Sequence, residues 1–249
     1  MEDSGVGIKV CGLTSADDAR HCIEAGVDWI GLNFHRNSPR YISQSTAATI
    51  LAALPDRRQG VGVFVDIPSS DVLATARRLH LAVVQLHGEE PAEEIAALEG
   101  LYVIKAFRLR RQTAWSEVTA YLERCEFLGR KPDAILVDAH IPGAPGGTGV
   151  AIDREILEKI PPLPRLILAG GLSPENVGER IACVRPWMVD VATGVESSPG
   201  RKDLERVAAF VREARKAARA SQSGTGMAGN ETCAVAPGDQ VIDNLHLDP

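Results

Sequence analysis

Eight times along this chain a short run rich in β-branched residues gives way to a longer stretch rich in Ala, Glu and Arg. That rhythm restricts the fold more than any single residue does. The strand candidates are IKVCG, WIGLNF, GVGVFVD, AVVQLH, YVIKAF, AILVDA, RLILAG and MVDVATG. Helices are expected near residues 17–25, 45–54, 69–79, 91–98, 113–127, 153–159, 174–183 and 203–218. Ser15, Ser69, Ser173 followed by Pro174, and Asp203 supply capping signals at helix starts. Each connection is too long for a hairpin and long enough for a helix, so the strands must run parallel. Eight such units predict an α/β fold, a (β/α)8 TIM barrel, as one domain over residues 1–218. A doubly wound open sheet is the rival. It usually has fewer strands and a G-x-G-x-x-G turn after the first, where this chain has CGLTSA.

The rhythm stops near residue 219, and residues 219–249 read as a polar, disordered C-terminal tail rich in Gly, Ser and Asp. Within it, QVIDNLHL could form a short docking segment. The formal net charge is −6, but Glu231, Asp239, Asp243 and Asp248 all follow Arg219, the last basic residue. The remainder is close to neutral, which gives no electrostatic reason to expect a nucleic-acid or membrane partner. Five scattered cysteines without C-x-x-C spacing argue against a disulfide framework and against a metal site. The opening MEDSGVG has no apolar stretch, and no apolar run approaches the ~18 residues of a membrane span. A reduced, cytoplasmic protein is the expectation, either a monomer or a homodimer.

Strand residues alternate between the helix layer and the barrel interior. Ile8 and Val10 suit the helix side, which leaves Lys9 and Cys11 facing inward. The same phase puts Ile135 and Val137 outside with Asp138 inside, and Val189 and Val191 outside with Asp190 inside. Cys11 and Asp138 fall at the C-terminal ends of their strands, the face where barrel enzymes keep their chemistry. A strand-end cysteine by itself can be inert packing, and an inward Asp can serve an ion pair, for instance with Lys9. Three glycine-rich turns follow the last three strands: GGTG (146–149), GGLSPEN (170–176) and TGVESSPG (193–200). Glycine admits an anion close to backbone N–H groups, and the last two turns sit where this architecture holds phosphate. Gly170, Gly171, Thr193 and Gly194 are therefore candidates for binding a small phosphorylated substrate. Gln85 and His87 read as polar residues lining the mouth, His87 being also a candidate base. His35 and His140 fall in loops without an assigned role.

The motifs IKVCG, GLNFHRNSPRYIS, GVFVD, VVQLHGEE, GGTG, AGGLSPENV and VDVATGVESSPGRKD resemble, in order, those of the phosphoribosylanthranilate isomerase family. The likeness runs from about residue 8 to 216. It implies an Amadori rearrangement in tryptophan biosynthesis: N-(5-phosphoribosyl)anthranilate becomes 1-(2-carboxyphenylamino)-1-deoxyribulose 5-phosphate, with no cofactor and no metal. It further implies Cys11 as general base, Asp138 as general acid, Arg40 as the contact of the anthranilate carboxylate, and Asp190 as a member of the site. One acid and one base suffice for such chemistry, and an Arg fork suits a planar carboxylate. The stretch GGTGVAIDRE departs from the family pattern: Val150, Ile152 and Arg154 replace a Lys, a Phe and a Trp, while Asp153 is retained. Altered closure over the substrate is the expected consequence. Two other readings compete. The related sugar-phosphate isomerase of histidine synthesis uses a carboxylate where this chain has Cys11, and a non-catalytic phosphate-binding barrel would keep only the glycine turns.

Overall fold

Ile8 and Val10 pack into the layer between strands and helices, while Lys9 between them is buried on the opposite face. That period of two organises the whole sheet. The computed structural model describes residues 5–108, 114–138, 163 and 165–222. Eight parallel strands close into a barrel in chain order: β1 (Gly7–Cys11), β2 (Trp29–Asn33), β3 (Gly60–Phe64), β4 (Val83–Leu86), β5 (Tyr102–Arg108), β6 (Ala134–Asp138), β7 (Leu166–Ala169) and β8 (Met188–Val191). β8 pairs back onto β1, so the barrel leaves no open edge. The expected barrel is therefore the fold, and the open sheet is excluded.

The helices among the described residues are α1 (Ala16–Glu24), α2 (Gln44–Ala52), α3 (Ser69–Leu79), α4 (Ala92–Ala97), α5 (Ala114–Phe127), α6 (Val177–Val184) and α7 (Leu204–Gln222). Ser15 caps α1 by accepting the Asp18 N–H, and Asp203 caps α7 by accepting the N–H groups of Glu205 and Arg206. Two capping expectations need correcting. Pro68 rather than Ser69 precedes α3, and the Ser69 N–H donates to Glu94 from the next helix. Ser173 lies a turn ahead of α6, its N–H held by the side chain of Asn176. α7 runs on to Gln222, past the boundary expected at residue 218. The GGTG turn with Val150, Ile152, Asp153 and Arg154, the helix expected at 153–159, His140 and residues 223–249 lie outside the described residues.

Two apolar layers result. The larger lies between strands and helices and includes Ile8, Val10, Ile135, Val137, Val189 and Val191. The smaller fills the barrel itself with Val61, Val83, Ile104, Leu136, Ile167 and Met188. A short antiparallel ribbon, β9 (Glu196–Ser198) with β10 (Arg201–Lys202), follows β8. In sequence this region is a plain glycine-rich turn, because strands of three and two residues leave no period to detect.

Candidate active site

Strand register brings the inward residues of β1 and β8 together. Lys9 pairs with Asp190 across the seam, and its Nζ donates to Asp190 Oδ1 at 3.0 Å. Lys9 is fully buried and Asp190 nearly so. Burial opposes the charge on Lys9, but the Asp190 carboxylate, joined by Cys11 when it is ionised, outweighs it and holds the amine protonated. Burial raises the Asp190 carboxyl above its usual range, Lys9 opposes the rise, and Asp138 adds to it. Of the two partners open to Lys9, the structure gives it Asp190.

Cys11 stands one pleat above Lys9, at the last residue of β1 and level with Gly31 on β2. The glycine is required there: a Cβ at Gly31 would lie 2.6 Å from Cys11 Sγ and 3.1 Å from Lys9 Nζ. Cys11 is partly exposed at the mouth, yet desolvation is the largest influence on its thiol and pushes its pKa up. Lys9 and Lys202 pull it down, and Asp190 pushes it further up. The balance favours the neutral thiol.

Asp138 ends β6, level with Arg108 on β5 and Ala169 on β7. Its charge reaches both His87 and Asp190. His87 follows β4, and its Nδ1 shares a 2.6 Å hydrogen bond with Gln85 Nε2. Burial pushes the His87 pKa down to about 4, against the pull of Asp138, so the imidazole is neutral near neutrality. Gln85 is fully buried within β4, and His87 is partly exposed just beyond its C-terminal end.

Arg40 crosses over the turn after β1, passing Gly12, whose φ of +79° and missing side chain leave room for it. Its Nε donates to Glu196 Oε1 at 2.7 Å and its Nη2 to Glu196 Oε2 at 2.5 Å, with a further 3.2 Å bond to Thr193 Oγ1. Among the described residues, Nη1 takes no part in this fork. Glu196 also accepts from Lys202 Nζ at 2.9 Å and from the Gly200 N–H. Lys202 Nζ donates besides to the carbonyls of Cys11, at 2.7 Å, and Ala192. Sequence reasoning passed over Glu196 and Lys202. The charges flanking the SSPG turn in VESSPGRKD were visible, but their convergence on Cys11 and Arg40 was not.

Gly170 and Gly171 form the turn after β7, both with positive φ. Gly194 belongs to the short helical turn Thr193–Val195 after β8 and packs its Cα against the Leu172 carbonyl, where no side chain would fit. Arg206 Nε donates to the Gly194 carbonyl and ties this turn to α7. The candidate residues Gly170, Gly171, Thr193, Gly194, Arg40, Asp190, Cys11 and Asp138 thus lie at C-terminal strand ends or in the loops that follow. No three His, Cys, Asp or Glu side chains among the described residues converge as metal ligands would. No helix among them is long and apolar enough to cross a membrane.

A closed eight-stranded βα barrel with a thiol and carboxylates at its C-terminal mouth and glycine turns after β7 and β8 is the architecture of a barrel enzyme working by acid–base chemistry. Comparison with known proteins makes this specific. The family N-(5'-phosphoribosyl)anthranilate (PRA) isomerase matches residues 8–213. An N-(5'-phosphoribosyl)anthranilate isomerase of Geobacter sulfurreducens is 44% identical over 210 residues, covering 84% of this chain and 98% of that protein. The enzyme of Azotobacter vinelandii is 42% identical over 215 residues, covering 86% of this chain and 100% of its own length. Among solved structures, the Thermotoga maritima phosphoribosyl anthranilate isomerase superimposes with a TM-score of 0.74 at 36% identity, covering 85% of this chain and 99% of that one. A phosphoribosyl anthranilate isomerase bound to reduced 1-(o-carboxyphenylamino)-1-deoxyribulose 5-phosphate gives a TM-score of 0.70 at 34% identity, over 85% and 99% of the two chains. This chain belongs to the phosphoribosylanthranilate isomerase family.

Proposed function

We infer that this chain isomerises N-(5-phosphoribosyl)anthranilate to 1-(2-carboxyphenylamino)-1-deoxyribulose 5-phosphate, the Amadori step of tryptophan biosynthesis. Family membership along nearly the whole barrel carries the reading. A thiol and a carboxylate at the ends of β1 and β6 support its mechanism. Asp138 gives a proton to the ribose ring oxygen while the anilino lone pair forms C=N and the C1–O bond breaks. Cys11, as thiolate, then removes the C2 proton, and the resulting enolamine tautomerises to the ketone. The proton Asp138 donates is the one Cys11 must lack, so the productive state is one proton placed within the pair. Burial works against that state at Cys11, and the nearby lysines favour it. Arg40 Nη1, which takes no part in the fork to Glu196, would contact the anthranilate carboxylate. The turns at Gly170–Gly171 and Thr193–Gly194 suit the phosphate.

The thiol at position 11 disfavours the two-carboxylate isomerisation of histidine synthesis, and the retained acid and base disfavour a binding-only barrel. Loss of anthranilate fluorescence on mixing with freshly made substrate tests the reading, and absence of turnover would refute it. Asp138→Asn is expected to depress kcat by about 10²-fold or more while product affinity stays. Arg40→Ala is expected to weaken binding by about 2–4 kcal/mol.

A further inference from the structure

The ribbon after β8 holds a cation against the back of Cys11. Lys202 is fully buried, and its ammonium spends its donors on the Cys11 carbonyl, the Ala192 carbonyl and Glu196. Glu196, also buried, grips Lys202 with one oxygen and Arg40 with both. Two cations share one carboxylate, so the cluster carries a net positive charge beside the thiol, in surroundings where charge is poorly screened. The other charged groups around Cys11 are Lys9 on β1 and Asp190 on β8, which are paired with each other, and Arg40 from the loop after β2. Among the described residues, Asp138 on β6, His87 after β4, and Lys105 and Arg108 on β5 are further titratable groups on this side of the barrel. Lys9, although paired with Asp190, pulls most strongly on the thiol, and the net positive charge of the Lys202–Glu196–Arg40 cluster adds to that pull.

We propose that Lys202 is a positioning residue that favours ionisation of the Cys11 thiol, and that Glu196 couples this to the placement of Arg40. The proposal rests on the reading of Cys11 as the base. It goes beyond that reading in assigning a task to two residues outside the acid–base pair.

The pH dependence of Cys11 alkylation by iodoacetamide, followed on the Cys11 peptide by mass spectrometry, reports the thiol without requiring turnover. Lys202→Met is expected to move the inflection up by about one pH unit and to lower kcat/KM at neutral pH about tenfold. Glu196→Gln keeps the volume and removes the anion, so the inflection should move down while KM rises as Arg40 loses its fork. Opposite shifts are not what two merely structural lesions would give. An unchanged inflection in a folded Lys202→Met protein, or shifts of the same sign in both variants, would overturn the proposal. Should Lys202→Met not fold by circular dichroism, Glu196→Gln decides alone: a downward shift supports the coupling, and an unchanged or upward inflection overturns it. Full turnover in Cys11→Ala would instead remove the base assignment and leave the alkylation shifts intact.

Discussion

The two ends of this barrel are built from opposite materials. At the C-terminal mouth, Lys9, Gln85, Asp190 and Lys202 are buried polar groups held by hydrogen bonds and ion pairs. At the N-terminal end, Trp29 packs edge-on against Tyr102 and Trp187, each at 5.6 Å between ring centroids. Arg165 lies over the last two rings at 5.7 and 5.5 Å and donates to the Tyr102 hydroxyl. Rings in this arrangement add to the stability supplied by their buried area. A buried ion pair such as Lys9–Asp190 roughly breaks even against apolar packing, because desolvation offsets the Coulomb gain. The base therefore adds packing stability, whereas the buried charges of the mouth add little. One continuous sheet joins them, so each can be altered while the other reports.

The sharpest separation should come from the mouth. Cys11→Ala is expected to lower kcat by at least ~10²-fold while the thermal midpoint stays near that of the parent. Cys11→Ser should recover little, since a hydroxyl is far harder to ionise. Near-parental turnover in a folded Cys11→Ala protein would erase the chemical distinction between the two ends.

The mirror experiment is at the base. Trp29→Ala is expected to cost about 2–4 kcal/mol in urea unfolding, somewhat under the usual figure for a buried Trp because the ring is only partly buried. Its kcat should be unchanged. A matching loss of kcat without loss of stability would show that the two ends are not independent.

A smaller effect concerns acid. His87 has its pKa depressed from 6.5 to about 4 in the folded protein. The unfolded chain therefore binds the extra proton across that window, and stability falls as pH drops from 6.5 towards 4. The contribution is fully present above 6.5. Urea unfolding of His87→Gln should show a flatter pH dependence across the same range, and an equally steep one would place the titration elsewhere. The least effect is expected from removing residues 223–249, which lie beyond both the family match and α7. Thermal midpoint and turnover should be unaltered, and a marked fall in either would mean that this segment docks on one of the two ends.

The period of two in IKVC, AILVD and MVDV was enough to assign Lys9, Cys11, Asp138 and Asp190 to the barrel interior. The apolar residues of those strands left no other face for a buried sheet. The alternation of strand and helix likewise fixed parallel pairing, and Ser15 and Asp203 marked their helix starts correctly. Local rules sufficed in each case, because each concerns residues a few positions apart.

What the chain could not disclose alone was which charges meet. Lys9 could have paired with Asp138 or Asp190, and only the register of β1 on β8, set by closure of the whole barrel, selects Asp190. Gly31 is a glycine inside a strand until Cys11 is found level with it. Glu196 and Lys202 are an exposed-looking pair of charges around a turn until the ribbon folds back on β1 and buries them both. Even the state of Cys11 was beyond the sequence: its thiol answers to desolvation and to lysines at positions 9 and 202 at once. Electrostatic energy depends on distance and on exclusion of water, and between Cys11 and Lys202, 191 positions apart, neither is set by local order. It is set by how the barrel closes.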